Sequence, residues 1–214
     1  MPVDVKICGV NSHEAATAAA SGGARYIGFV FYPPSPRAVD IAEAAALAKT
    51  VPADVGRVGL LVDADDRRIA EILAAVPLHM LQLHGRETPA RVRAIRETFG
   101  LPVMKAIGVA DKADIDAAAA YCDAADWLLF DAKPPKRPGA LPGGNAVSFD
   151  WNLLAGRRWP IPWMLSGGLT AGNLAAAVRS TGARVADVSS GVEHAPGRKS
   201  VTKIGDFLAA AAAA

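Results

Sequence analysis

The stretch Val3-Asp4-Val5-Lys6-Ile7-Cys8-Gly9 decides the fold and marks where its chemistry lies. Successive side chains of a β-strand point to opposite faces, so Asp4, Lys6 and Cys8 share one face and the apolar residues share the other. A buried charge is costly unless it is paired, which makes Lys6 unexpected in a purely structural strand. Cys8 is either a small buried hydrophobe or a reactive thiol, and the rest of the chain has to decide between the two.

The composition is that of an ordinary globular protein. Of 214 residues, 51% are hydrophobic and 21% charged, with a net charge of +2 and no basic cluster, so we expect no nucleic-acid partner. No stretch reaches the roughly 18 apolar residues that a membrane span needs, so no membrane role is expected. Two cysteines give no disulfide framework, and the chain enters a strand without a signal peptide, so we predict a cytoplasmic protein.

Eight short apolar segments alternate with alanine-rich helical segments. The predicted strands are residues 3–8, 26–31, 57–62, 79–83, 103–107, 126–130, 163–165 and 185–189. Eight such units in a chain of this length predict an α/β fold, a closed (β/α)8 TIM barrel that spans residues 1–214 as a single domain. An open doubly wound sheet is the alternative, but the turn Cys8-Gly9-Val10-Asn11 lacks the glycine-rich dinucleotide signature.

Several helix boundaries are readable from capping residues. The predicted N-caps are Asn11 with Glu14, Asp40 with Glu43, and Thr88 before Pro89. The glycines predicted to end helices are Gly22-Gly23, Gly100 and Gly182.

A barrel places its active site at the C-terminal ends of the strands, so the residues found there are the candidates. Cys8 ends strand one. Strand two runs into a proline-stiffened loop that carries Arg37, which is either a ligand contact or a solvated side chain of a stiff connector. Strand four ends at Gln82-Leu83-His84-Gly85, and His84 is either structural or in contact with a ligand.

Strand six ends at Asp131, after a wholly apolar run. A carboxyl group removed from water in this way is suited to act as a general acid. Asp63 follows strand three in a similar setting, but a helix begins near Asp65, so Asp63 is expected only to cap it. After Asp131 comes a long proline- and glycine-rich loop that extends to Asn145, of a kind usually kept for function.

Small-residue turns follow strands seven and eight. They contain Gly167 and Gly168 in one turn and Gly191 and Val192 in the other. In barrels the loops after these two strands commonly form a phosphate site through backbone N–H groups. Glycines that merely permit tight turns would explain one such loop better than two.

The residues therefore predict a barrel enzyme that acts on a small phosphorylated molecule, with no nucleic acid and no membrane involved. A thiol and a carboxyl group on separate strands suit an isomerisation, in which one group removes a proton while the other donates one. We expect no metal, because the four histidines lack ligand spacing and the acidic residues form no evident metal group.

The sequence resembles the phosphoribosylanthranilate isomerase family nearly from end to end. The segments that carry this resemblance are Lys6-Ile7-Cys8-Gly9, Ser35-Pro36-Arg37, Gln82-Leu83-His84-Gly85, Phe130-Asp131, Phe149-Asp150-Trp151, Ser166-Gly167-Gly168-Leu169 and Ser189-Ser190-Gly191-Val192-Glu193. The resemblance implies the metal-free and cofactor-free Amadori rearrangement of N-(5'-phosphoribosyl)anthranilate to 1-(2-carboxyphenylamino)-1-deoxyribulose 5-phosphate in tryptophan biosynthesis.

The resemblance also implies a role for each matching residue. Cys8 is the expected general base and Asp131 the expected general acid. Arg37 would hold the anthranilate carboxylate through its two-pronged guanidinium, and His84 is a further candidate substrate contact. The backbone N–H groups of Gly167, Gly168, Gly191 and Val192 would bind the phosphate.

Two departures from the family pattern concern loops. Ala146 stands where the strand-six loop would have a last glycine, and Ala171-Gly172 replaces Pro-Glu after the strand-seven turn. They bear on the shape of that loop and on the start of the following helix.

One expectation goes beyond the resemblance. Strand eight closes the barrel beside strand one and offers Asp187, so we predict that Lys6 and Asp187 pair inside the barrel. The Lys6 cation is expected to help lower the pKa of Cys8.

Two other functions stay open. The histidine-pathway sugar isomerase has the same barrel and phosphate grip, but with an aspartate on strand one where this chain has Cys8. A barrel that binds phosphoribosyl ligands without turnover is the second alternative, and the pair of Cys8 and Asp131 argues against it. We expect a monomer, because no exposed apolar stripe is evident.

Overall fold

Eight parallel strands close into a barrel, which confirms the predicted fold class. The computed structural model describes residues 2–134, 141–145 and 147–214. Strand order follows the chain, from β1 to β8, with β1 pairing to both β2 and β8. The strands are β1 (Asp4–Cys8), β2 (Tyr26–Val30), β3 (Gly56–Leu61), β4 (Met80–Leu83), β5 (Val103–Val109), β6 (Trp127–Ala132), β7 (Trp163–Leu165) and β8 (Val185–Val188). That all 214 residues form one domain stays a prediction.

The predicted strands agree with these bounds to within two residues. The difference that matters is in β6, which continues through Asp131 to Ala132 instead of ending at Phe130. Its longer partner β5 supplies the cause, because Gly108 and Val109 pair with Asp131 and Ala132. Asp131 is therefore part of the strand, and the strand fixes the direction of its side chain.

Seven α-helices cover the outside of the barrel in the described ranges. They are α1 (His13–Ser21), α2 (Ile41–Thr50), α3 (Asp66–Ala75), α4 (Pro89–Phe99), α5 (Lys112–Ala117), α6 (Leu174–Thr181) and α7 (Val201–Ala212). Between β6 and β7, the described residues form only a short 3-10 helix at Trp151–Leu154 instead of the alanine-rich helix that the alternation predicts. None of the described helices is both long and apolar enough to cross a membrane.

The helix caps largely match the predictions. Asp40 and Glu43 form a reciprocal capping box, and Thr88 caps the helix that begins at Pro89. Gly100 and Gly182 end their helices in the left-handed conformation.

One cap prediction was wrong by one residue. At α1 the N-cap is Ser12, because the Asn11 side chain reaches away and donates to the Gly197 carbonyl at 2.9 Å. At the end of α1 the predicted glycine pair is confirmed, with Gly22 as the C-cap and Gly23 in the left-handed conformation.

The barrel interior changes from apolar to polar along the strand direction. Near the N-terminal ends of the strands, the buried interior residues are apolar, such as Val58, Met80 and Leu129. Two residues further along β4 and β6, the side chains on the same face are Gln82 and Asp131, and both are buried. The sequence thus places its polar groups at the C-terminal end of the barrel, where such enzymes hold their active sites.

A small hairpin follows β8. Its antiparallel strands are β9 (Glu193–Ala195) and β10 (Arg198–Lys199). The turn lies so close to the loop after β2 that a Cβ on Gly197 would overlap the Pro36 carbonyl oxygen. The hairpin therefore packs against the segment that carries Arg37.

Lys6 and Asp187 form the predicted ion pair where β1 meets β8. The two residues are direct register partners, and Lys6 Nζ lies 2.7 Å from Asp187 Oδ1. Lys6 is 0% exposed. Burial alone would lower the pKa of Lys6, but the Asp187 carboxylate holds that pKa above its usual value. The pair stays charged, and removal of either partner would destabilise the fold, because the other charge would be left buried without compensation.

Removal of one partner tests this dependence. We expect Asp187→Ala to lower the free energy of unfolding by about 3–5 kcal/mol, because Lys6 is left as an uncompensated buried charge. Urea unfolding measures the change, and Lys6→Met/Asp187→Leu should regain most of the loss. The exposed pair Arg67–Glu71 is the control, since Glu71→Ala should cost less than about 1 kcal/mol. Equal losses for Asp187→Ala and Glu71→Ala would contradict this account.

Candidate active site

A cleft of about 740 Å³, its open mouth included, lies at the C-terminal ends of the strands. Seven of the eight predicted site residues line it: Cys8, Arg37, His84, Asp131, Gly167, Gly168 and Gly191. Val192 does not. Its side chain is buried in the core, and its N–H donates to the Ser189 carbonyl at 3.4 Å.

Cys8 lies beside the Lys6–Asp187 pair. Its β2 register partner is Gly28, where a Cβ would stand 3.1 Å from Lys6 Nζ and 3.2 Å from Cys8 Sγ. A glycine at this position therefore leaves the thiol and the ammonium room to share one side of the cleft. Ser166 donates to Asp187 Oδ2 at 3.1 Å, which fixes the second carboxylate oxygen.

The pKa of Cys8 is set by burial and by three nearby charges. Burial raises the pKa of the Cys8 thiol above its ordinary value. The charges of Lys6 and Lys199 lower that pKa, as predicted for Lys6, but Asp187 opposes them and burial prevails. The sequence pattern revealed the cation but not the depth of burial.

Asp131 and His84 lie next to each other in the wall of the cleft. His84 Nε2 lies 3.4 Å from Asp131 Oδ2, and Asp131 Oδ1 accepts the N–H of Ala132 at 2.9 Å. The amide nitrogen of Gln82 lies 3.0 Å from His84 Nδ1. Since an amide nitrogen can only donate, Nδ1 accepts, and neutral His84 carries its proton on Nε2, toward Asp131. His84 is thus a candidate for orienting Asp131.

Asp63 has a different role from the predicted cap. Asp65 caps α3, while Asp63 adopts a left-handed backbone with φ of 49° and accepts the N–H of Arg86 at 2.6 Å. Its own N–H donates to Glu87. Asp63 therefore ties the loop after β3 to the loop after β4.

Arg37 is buried and held on one side by Glu193. Its Nε and Nη2 donate to the two Glu193 carboxylate oxygens, each at 2.8 Å, and Nη2 also donates to the Gly144 carbonyl. Lys199 donates to Glu193 Oε1 at 2.9 Å. Burial would raise the pKa of Glu193, but Arg37 and Lys199 hold it below its usual value. No described residue accepts a hydrogen bond from Nη1 of Arg37.

The segment 141–145 closes the cleft from above through two adjacent glycines. A Cβ on Gly143 would lie 2.7 Å from Asp131 Oδ2 and 2.8 Å from His84 Nε2. A Cβ on Gly144 would lie 2.6 Å from Arg37 Nη1. Side chains at either position would collide with the candidate acid or the candidate arginine. Ala146 and residues 135–140 of this loop lie outside the described residues.

The turn after β7 lines the cleft with two glycines, Gly167 and Gly168. Gly167 and Gly168 both have left-handed φ angles, of 88° and 66°, and among the described residues nothing accepts their N–H groups. Asn173 braces this turn, because its side chain accepts from Thr170 N at 2.8 Å and donates to the Gly168 carbonyl at 2.9 Å. Two free N–H groups at a fixed turn are suited to binding an anion.

The described residues contain no cluster of three or more His, Cys, Asp or Glu side chains that could hold a metal ion. That the reaction needs no metal and no cofactor stays a prediction.

Glu193 and Lys199 belong to the site, although neither was predicted from the sequence. Glu193 was noted only as the last residue of the turn after strand eight. The available signal was Pro196-Gly197, a dipeptide typical of turns, which predicts a hairpin that returns Lys199 to Glu193. Gln82 was noted at the end of strand four, but its contact with His84 depends on side-chain rotamers that the pattern does not reveal.

The closed barrel and its cleft define a (β/α)8-barrel enzyme with its site at the C-terminal ends of the strands. A model of the family described as N-(5'phosphoribosyl)anthranilate (PRA) isomerase matches residues 5–210. The chain belongs to this family, and it is an isomerase of tryptophan biosynthesis.

Individual relatives agree with the family match. N-(5'-phosphoribosyl)anthranilate isomerase from Rhodospirillum centenum is 60% identical over 213 residues, covering 100% of both chains. The crystal structure of phosphoribosyl anthranilate isomerase from Thermotoga maritima matches with a TM-score of 0.89 and 35% identity, over 99% of this chain and 100% of that chain. Another structure of such an isomerase, in complex with reduced 1-(o-carboxyphenylamino)-1-deoxyribulose 5-phosphate, has a TM-score of 0.84, 33% identity and the same coverage.

From the charges around Cys8 we predict that its pKa shifts in opposite directions in two variants. We expect Lys6→Met to raise the pKa of Cys8 and Asp187→Asn to lower it, because Lys6 favours the thiolate and Asp187 disfavours it. The pH dependence of iodoacetamide alkylation, measured with Cys122→Ser in every protein, reports this pKa. A Lys6→Met midpoint equal to that of the parent protein would show that Lys6 has no electrostatic effect on the thiol.

Proposed function

We propose that this isomerase converts N-(5'-phosphoribosyl)anthranilate to 1-(2-carboxyphenylamino)-1-deoxyribulose 5-phosphate with Asp131 as general acid and Cys8 as general base. The observation that carries this proposal is that Cys8 on β1 and Asp131 on β6 line one cleft from different strands. An acid and a base on separate walls of a cleft can act on two different atoms of one substrate.

In the first step, Asp131 donates its proton to the furanose ring oxygen as the ring opens to a Schiff base. The carboxyl group is held for this step by the Ala132 N–H on Oδ1 and by His84 near Oδ2. Each carboxyl oxygen has two lone pairs, so Oδ2 can carry the acidic proton while it accepts from His84.

In the second step, the Cys8 thiolate removes the proton from C2', and the resulting enolamine tautomerises to the ketone. Lys6 supports the thiolate with its charge. Because burial raises the pKa of the thiol, the positive charge of Lys6 has to offset burial for the thiolate to form.

Arg37 and the β7 and β8 turns position the two anionic ends of the substrate. Arg37 Nη1 binds the anthranilate carboxylate, while Glu193 holds the rest of the guanidinium. The phosphate lies at the N–H groups of Gly167, Gly168 and Gly191, which line the cleft. Val192 could take part only if its N–H left Ser189. The monomeric state and the cytoplasmic location stay predictions.

Turnover of phosphoribosylanthranilate tests the assignment of acid and base. The substrate is generated in situ from anthranilate and phosphoribosyl pyrophosphate, and its loss is followed by fluorescence. We expect Cys8→Ala and Asp131→Asn each to lower kcat by about 10²–10⁴-fold, because each removes one proton-transfer group. Cys122→Ser is the control and should retain the parent rate. A Cys8→Ala enzyme with the parent kcat would remove Cys8 as the base, and binding without turnover in the parent would favour a ligand-binding barrel.

A further inference from the structure

Lys199 is a buried cation that the proposed reaction does not use. Its side chain is 1% exposed, at the end of the hairpin that follows β8. Its ammonium donates to Glu193 Oε1 at 2.9 Å, to the Ser189 carbonyl at 2.9 Å and to Ser189 Oγ at 3.3 Å. Burial lowers the pKa of Lys199, and the Glu193 carboxylate opposes this shift. The three acceptors match the three N–H groups of the charged ammonium.

Arg37, Glu193 and Lys199 form a cluster with unequal charges, which we call the Arg37 cluster. Glu193 Oε1 accepts from both Arg37 Nε and Lys199 Nζ, while Oε2 accepts from Arg37 Nη2. One carboxylate therefore serves two cations, and the cluster keeps one positive charge in excess. Lys6 and Asp187 nearby neutralise each other.

The excess positive charge of the Arg37 cluster can attract a ligand through Arg37, which lines the cleft. Glu193 occupies Nε and Nη2 of Arg37, and the Gly144 carbonyl accepts a further bond from Nη2. Without Lys199, Glu193 would neutralise Arg37, and the cleft would lose most of its attraction for an anion at this end.

We propose that Lys199 is a specificity-determining residue: by sharing Glu193 with Arg37, it leaves the Arg37 cluster one positive charge in excess, and this excess selects ligands that carry a carboxylate. The proposal rests on the proposed function in one respect, the contact between Arg37 and the substrate carboxylate. Lys199 itself acts through Glu193 and need not touch the substrate.

A pair of ligands isolates this effect from general binding. One is reduced 1-(o-carboxyphenylamino)-1-deoxyribulose 5-phosphate, and the other is the same compound without the carboxylate. Calorimetry gives Kd for both, and their ratio measures the preference for the carboxylate. In the parent protein the ratio should favour the carboxylated ligand, and Lys199→Gln should reduce it by at least about tenfold. Lys199→Arg, which keeps the charge, should retain it.

A charge-matched double variant separates electrostatics from a structural role. Glu193→Gln/Lys199→Gln removes one charge of each sign and restores the single positive charge of the cluster, so it should regain the preference that Lys199→Gln loses. A hairpin that merely needed Lys199 for packing would show no such recovery.

The outcomes also distinguish the two proposals. A parent protein that binds both ligands equally would overturn the carboxylate contact of Arg37, and this inference with it. A parent preference that Lys199→Gln leaves unchanged would overturn the role of Lys199 alone. If Lys199→Gln does not fold, Glu193→Gln decides, because the larger excess charge should strengthen the preference, and an unchanged ratio would contradict the proposal.

Discussion

The buried ion pair between Lys6 and Asp187 is the interaction on which the rest of the site depends. It lies where the first and last strands of the barrel meet, so it joins the two ends of the sheet in a fixed register. Two residues further along β1, Cys8 lies opposite Gly28 on β2. Ser166 on β7 completes the contacts of Asp187. A buried charged pair is costly to form, and its benefit is that it specifies position and supplies a cation beside the thiol.

A different constraint applies to segment 141–145, which closes the cleft: it has no space for side chains at its two glycines. Gly143 and Gly144 lie against Asp131, His84 and Arg37 at distances that leave no space for a side chain. The loop after β6 can therefore approach the acid and the arginine only as bare backbone. This explains why a segment of described chain so rich in glycine is held over the site, where its Gly144 carbonyl also accepts from Arg37.

Residues governed by strand periodicity could be predicted from the sequence, and those governed by long-range loop packing could not. Alternation along β1 placed Lys6 and Cys8 on the inner face, and closure of the barrel placed Asp187 beside Lys6, as the structure confirms. Glu193 meets Arg37 only because the hairpin packs against the loop after β2, a contact between distant segments that no local pattern encodes. The net rise in the pKa of Cys8 was missed for a related reason, because burial is a property of the whole barrel. Val192 was predicted from the motif to bind phosphate, but its side chain is buried in the core and its N–H donates to Ser189.

The most direct test of the account is a crystal structure of this protein with reduced 1-(o-carboxyphenylamino)-1-deoxyribulose 5-phosphate bound in the cleft. The account predicts the ligand carboxylate at Arg37 Nη1 and the phosphate at the N–H groups of Gly167 and Gly168. It also predicts Cys8 Sγ within about 4 Å of C2', with the Asp131 carboxyl group on the other side of the chain. A ligand bound in the reverse direction, or with C2' beyond the reach of Cys8, would contradict the assignment of base and acid.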